Sequence, residues 1–264
     1  MILIDWKGKV GYGDIISPIC YAHNVSHKLK THVRLVFHWA TDPWDTQYTR
    51  DPEMLWQRAD IINSLCRKKN TQVEVHHQFD SVLPFNHSNY DWNIVGKDRF
   101  HNYWMPERIV RGTSNTIVVN STQGNQVSLK EYGKSWKDPA AQLWPDIIQR
   151  LERHYEVVVV DYRTPLHDMV KLLQSAKGFV GYHGTAAWVA RMFHTPSVLF
   201  ADGGSLTCNA FFYADIHKSV DGYKSVIDNI GTHFTTSRKL IEQAQLHYVL
   251  YKPGQEFVAH LKEA

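Results

Sequence analysis

Short apolar runs alternate with longer segments of helical period through residues 113–264. Thr116–Asn120, Glu156–Asp161, Gly178–Gly181 and Ser197–Ala201 read as strands. Between them, Leu143, Trp144, Ile147, Ile148 and Leu151 recur at the spacing that places them on one helical face. Met169, Val170, Leu172 and Leu173 predict a second helix, and Ala186, Ala187, Val189 and Ala190 a third. Val157–Val160 is apolar without alternation, the pattern of a parallel strand buried on both faces. Strands and helices in this alternation predict an α/β fold with a doubly wound parallel sheet.

Residues 1–112 repeat the plan less regularly. Ile2–Trp6 reads as a strand, followed by a Gly-rich turn and a helix from about Ile15 to Leu29. Val33–Trp39 and Thr71–His76 read as strands. Between them Glu53–Lys69 is helical, with Met54, Ile61, Ile62 and Leu65 on one face. Residues 84–112 are rich in Asn, His, Trp and Tyr without a period, and read as a long loop and linker. The expected organisation is a domain over 1–112 and a second over 113–264.

Charge and composition narrow the classes. Residues 1–112 carry 14 Lys+Arg against 12 Asp+Glu, and the remainder 15 against 14, so neither half is a strongly basic nucleic-acid module. No apolar run approaches the roughly 18–20 residues that span a bilayer. The opening Met1-Ile2-Leu3-Ile4-Asp5-Trp6 lacks the pattern of a signal peptide. Cys20, Cys66 and Cys208 are widely spaced and odd in number, which predicts neither a disulfide framework nor a zinc motif. A cytoplasmic location is expected.

Two segments carry candidate chemistry. Gly11-Tyr12-Gly13-Asp14 falls between the first strand and the first helix. That is the carboxyl edge, where ligands bind in open parallel sheets. Asp14 there either caps the helix or accepts a proton from an attacking hydroxyl. Ile16 stands where the dinucleotide fingerprint has its third glycine, which argues against a nicotinamide cofactor. The second segment is Gly181-Tyr182-His183-Gly184-Thr185-Ala186-Ala187, which ends a strand and opens a helix. Backbone N–H groups at a helix start bind anions, and small residues let a diphosphate approach. His183, Gly184 and Thr185 are therefore candidate donor-binding residues that need no divalent ion. Ser121 and Thr122 follow one strand of this half, and Asp161, Tyr162 and Arg163 follow another, as candidates to receive a ribose and a base.

The chain resembles the ADP-heptose:lipopolysaccharide heptosyltransferase-like family. The resemblance rests on Gly13-Asp14 followed by Pro18, on Trp144-Pro145, and on Gly181–Ala187 running on to Thr195-Pro196-Ser197-Val198-Leu199-Phe200. It implies a GT-B-like fold of two facing Rossmann-like domains with parallel sheets. The activity it implies is transfer of a sugar from a nucleotide-sugar donor. By the same resemblance Asp14 is the general base, Lys137 touches the donor phosphates, and His183, Gly184 and Thr185 bind the diphosphate. The chain departs from the family pattern in carrying Tyr-His-Gly-Thr at the turn and Trp188 in the following helix. A UDP-linked sugar is the expected donor, with no cofactor and no metal.

The acceptor expectation rests on residues 85–111, where aromatics interleave with cations. Tyr90, Trp92 and Trp104 offer stacking faces, and Arg99, Arg108 and Arg111 offer phosphate contacts. In size and style the chain also looks like the glycosyltransferases of T-even-like bacteriophages. That likeness implies double-stranded DNA carrying 5-hydroxymethylcytosine as the acceptor, reached by base flipping or through the major groove. Transfer to a lipopolysaccharide core or a protein is the alternative acceptor reading. A non-catalytic nucleotide-binding module is the alternative of another class.

Overall fold

Right-handed crossovers decide where each helix of this chain lies. In the computed structural model the described residues are 1–6, 15–39, 52–67, 71–79, 114–121, 143–161, 163–182, 184–200, 215–217, 229–250 and 262–263. The chain divides into unit 1, Met1–Trp104 with Leu250–Ala264, and unit 2, Met105–Val249.

Unit 1 contains β1 (Ile2–Trp6), α1 (Ile16–Leu29), β2 (His32–Trp39), α2 (Pro52–Cys66) and β3 (Gln72–Phe79). Its sheet has the order β3-β2-β1, all parallel, and continues to a short antiparallel strand, β9 (Lys262–Glu263). Ile2 and Leu3 pair with Glu263 and Lys262, so the last residues belong to unit 1, whereas the sequence reading gives them to the second domain. Both crossovers step in the same direction, which puts α1 and α2 on one face. There Val33, Leu35 and Phe37 are buried with Ile19, Ala22, Val25, Ala59 and Ile62. Alternation turns His32, Arg34, Glu74 and His76 to the other, solvent-facing side. His32 and His76 lie 3.2 and 3.3 Å from the Glu74 carboxylate, and Arg34 3.4 Å. The hydrogen bond from His76, with the nearby His32 and Arg34, holds Glu74 below the usual carboxylate range.

Unit 2 contains β4 (Thr116–Asn120), α3 (Trp144–Glu152), β5 (Glu156–Val159), α4 (Leu166–Ser175), β6 (Gly178–Tyr182), α5 (Thr185–Met192), β7 (Ser197–Phe200), β8 (Asp215–His217) and α6 (Ile230–Leu250). The strands are parallel in the order β5-β4-β6-β7-β8. The chain steps outward from β4 to β5, then reverses across β4 to β6 and onward. Reversal sends the later crossovers to the opposite face, so the sheet is covered on both sides. Ile117, Val119, Val180, Val198 and Phe200 form one core with Trp144, Ile147 and Leu151 of α3 and Phe234 of α6. α4 and α5 pack together on the other face.

The valine run departs from expectation. β5 ends the sheet and pairs with β4 among the described strands, so Val157 and Val158 are half-buried and Val159 is 50% exposed. Continuous apolar sequence signals a strand of a parallel sheet, and its place at the edge follows from the crossover order.

Candidate functional site

Of the donor residues expected in 113–264, those that the structure describes lie at the carboxyl ends of β5, β4 and β6. Asn120 of β4 is in register with Gly181 of β6, and the Val160 N–H donates to the Val119 carbonyl at 2.8 Å. Ser121, Asp161, Tyr182, Gly184 and Thr185 are thereby brought to one edge of one sheet. The first connection from β4 runs to β5 and the return runs to β6, so this edge is the topological switch point, where open α/β sheets bind ligands.

Gly181 owes its identity to this junction. A Cβ there would lie 2.7 Å from the Asn120 carbonyl oxygen and 2.9 Å from the Asn120 Cβ. The close approach of β4 and β6 at their carboxyl ends admits no side chain. Gly184 precedes α5, and among the described residues nothing lies within 4 Å of the position its Cβ would take. Thr185 opens the helix, and the Trp188 N–H donates to the Gly184 carbonyl at 3.0 Å. The earlier N–H groups of such a turn have no acceptor inside the helix, and the dipole adds about half a positive charge there. Backbone, small residues and one hydroxyl thus converge at the edge.

Tyr182, one residue before the turn, is anchored from below. Its Oη accepts a hydrogen bond of 2.9 Å from the Trp144 Nε1–H, with both side chains buried. The two rings meet edge to face at 5.4 Å, and Phe200 lies 5.2 Å from Trp144. Trp144-Pro145 therefore does more than begin α3, since the indole ties that helix to the last residue of β6.

Asp161 has local work as well. Its Oδ1 accepts the Arg163 N–H at 2.8 Å, and its N–H donates to Thr164 Oγ1 at 3.0 Å. These bonds build the turn into α4. Arg163 is exposed and Ser121 half-buried.

Of the expected donor residues, Ser121, Asp161, Arg163, Gly184 and Thr185 are described and lie at this edge. Thr122, Lys137, Tyr162 and His183 lie outside the described residues, as does Asp14. So do the acceptor candidates Tyr90, Trp92, Arg99, Trp104, Arg108 and Arg111. His23 has a structural setting. It is buried in α1, with Nε2 2.7 Å from Asn63 Oδ1 and Nδ1 3.2 Å from Thr71 Oγ1. Thr71 precedes β3, so His23 links α1 and α2 toward the amino end of the sheet, away from the edge where ligands bind.

At the far end of α5, His194 adopts a left-handed conformation with φ 55° and is 3% exposed. The Thr195 N–H reaches back to the Ala190 carbonyl at 2.9 Å and closes the helix. Burial, with the Arg191 charge adding to it, lowers the His194 pKa to about 4. Nothing in the hydrophobic pattern marks this residue; a helix ending without glycine is the one available signal.

Among the described residues no helix is long and apolar enough to cross a membrane. No protein-family model matches the chain, and no curated protein matches it. Solved structures do. One is the bacterial iron-containing dodecameric glycosyltransferase TibC from enterotoxigenic E. coli, at 16% identity over 94% of this chain and 77% of the other, with a TM-score of 0.45. A second is the dodecameric iron-containing heptosyltransferase TibC in complex with ADP-D-beta-D-heptose, at 15% identity over 94% and 76%, again with a TM-score of 0.45.

Proposed function

We propose that the chain is a GT-B-type glycosyltransferase that moves a sugar from a nucleoside-diphosphate donor, held by unit 2, to an acceptor hydroxyl. The observation that carries the reading is the β4–β6 switch point, where Gly181, Gly184 and Thr185 present backbone and a hydroxyl at the start of α5. An anionic ligand at that edge is what a helix start and small residues recognise. The Gly-Asp, Trp-Pro and Gly-Tyr-His-Gly-Thr-Ala-Ala motifs add the sugar-transfer chemistry, and they favour a heptosyl-type transfer to a lipopolysaccharide core or a protein.

In this reaction the acceptor oxygen attacks the anomeric carbon, and the bond from that carbon to the diphosphate oxygen breaks. The acceptor proton passes to the Asp14 carboxylate. Negative charge gathers on the departing diphosphate, where α5 amides, the Thr185 hydroxyl, His183 and Lys137 offset it. Ser121, Thr122, Asp161, Tyr162 and Arg163 belong to the ribose and base side.

The test is release of free nucleoside diphosphate from a panel of ADP- and UDP-sugars, with lipopolysaccharide core, protein or DNA containing 5-hydroxymethylcytosine as acceptor. Turnover with the core or a protein supports the reading above. Turnover with the DNA alone moves the acceptor to the one implied by Tyr90–Arg111. Asp14→Asn should lower turnover roughly 10²–10⁴-fold while nucleotide affinity and melting temperature stay close to wild type. Nucleotide binding without release from any donor would leave a binding module and end the enzymatic reading.

A further inference from the structure

Cys20 and Cys66 stand 46 residues apart in the chain, yet their sulfurs lie 3.3 Å apart. Cys20 is in the second turn of α1 and buried, and Cys66 is the last residue of α2 and half-buried. The two helices pack on each other over the same face of the sheet of unit 1. Ile19 and Ile62 beside the pair are fully buried, whereas Ser64, Leu65 and Arg67 around Cys66 are exposed. The seam is therefore apolar on the Cys20 side and open to solvent on the Cys66 side. No disulfide joins the two in the structure. A disulfide needs about 2.05 Å between sulfurs, so a shift of roughly 1.3 Å along the seam separates contact from bond.

We propose that Cys20 and Cys66 are a reversible modification site, oxidised by a low-molecular-weight disulfide of the glutathione class to an intrachain bond that staples α1 to α2. The Cys66 thiolate, the more accessible, attacks the reagent, forms a mixed disulfide and expels one thiol. The Cys20 thiolate attacks the Cys66 sulfur, expels the second thiol and leaves the protein disulfide. Two protein thiols give up two electrons and two protons, and the reagent disulfide takes them up as two thiols. Reduction runs the same steps backward, entering at Cys66.

Wide sequence spacing predicts no disulfide framework here, and none is built in. The helix layer of unit 1 instead brings two of the three cysteines together, and Cys208 belongs to unit 2. The bond would close the segment from α1 through β2 to α2 into a ring. It would restrain the end of α2 without touching the sheet.

The experiment uses the full chain, incubated natively with excess oxidised glutathione, quenched in acid and mapped without reduction. Expected are a loss of two hydrogen masses, a peptide pair joining Cys20 to Cys66, and reversal by dithiothreitol. The native rate of that cross-link should exceed the rate in concentrated urea by at least about tenfold, because the fold holds the two sulfurs in contact. In Cys20→Ser the same treatment should stop at a glutathione adduct on Cys66. A stable adduct on wild-type Cys66, a bond from Cys66 to Cys208, no reaction, or a cross-link no faster than in urea would each overturn the proposal. All four are read on the wild-type protein, whatever the folding of the variant.

Discussion

Trp144 and Tyr182 offer a direct measure of what holds the candidate site in place. The Trp144 N–H donates over 2.9 Å to Tyr182 Oη, with the residues 4% and 2% exposed. Tyr182→Phe removes the acceptor and leaves a buried indole donor unmet, which costs about 1–3 kcal/mol. Trp144→Phe removes the donor and part of a buried bicyclic ring, roughly 2–3 kcal/mol from lost burial and the cavity left. In the double variant the penalty for the unmet donor vanishes. The combined loss should then fall short of the sum by about 1–2 kcal/mol, within the range seen for residues in contact. Urea unfolding followed by far-ultraviolet circular dichroism measures all four corners without relying on the tryptophan under test. Each kcal/mol should also lower the melting temperature by about 2–4 °C for a chain of this size class. Additivity within about 0.3–0.5 kcal/mol would show that the bond contributes nothing and that Trp144 serves only as packing volume.

Gly181→Ala drives a Cβ into the Asn120 backbone and should destabilise by about 1–3 kcal/mol. Gly231→Ala, at the open start of α6, should be neutral or slightly stabilising, and equal effects at the two sites in urea titrations would refute the close approach. His194 has its pKa lowered from 6.5 to about 4, so unfolding takes up a proton at this site below about pH 6.5. Its stabilising contribution is complete above that pH. It is lost as pH falls toward about 4, by roughly 3 kcal/mol at about 1.36 kcal/mol per unit. His194→Asn tolerates the left-handed backbone and cannot titrate, so an unchanged slope of stability against pH in this variant would contradict the assignment. For the proposed transfer, turnover should survive EDTA; complete loss restored only by Mg²⁺ or Mn²⁺ would sink the metal-independent scheme.

The parts of the fold legible in the sequence were those where burial alone sets the pattern. β4, written Thr-Ile-Val-Val-Asn, is buried from Thr116 to Val119, and its three apolar residues form its middle. α3 shows its face through Trp144, Ile147 and Leu151, which remain together in the core. The Gly181–Thr185 turn was legible because a glycine-rich break after a strand and before a helix has few structural uses. Partners distant in the chain were not legible. Cys20 against Cys66 and His23 against Asn63 and Thr71 are set by how α1 and α2 pack, and no local spacing records that. β9 is too short to announce itself, and its place beside β1 depends on the chain's path from unit 2 back to unit 1. Asp161 follows β5 as a candidate for a ribose, and its side chain and backbone also build a turn with Arg163 and Thr164 that no local spacing announces.

The edge position of β5 bears on how the protein behaves in concentrated solution. A half-exposed valine strand at the end of a sheet is a template on which the edge of another molecule can add. Glu156 heads that strand, and its carboxylate accepts the Thr116 hydroxyl at 3.0 Å on the neighbouring strand. A strand adding there would have to take the Glu156 carboxylate into the joint, and burying that charge without a charged partner opposes the pairing. Glu156→Gln removes the charge and leaves the valines, so that variant should turn turbid at concentrations where the wild type stays clear.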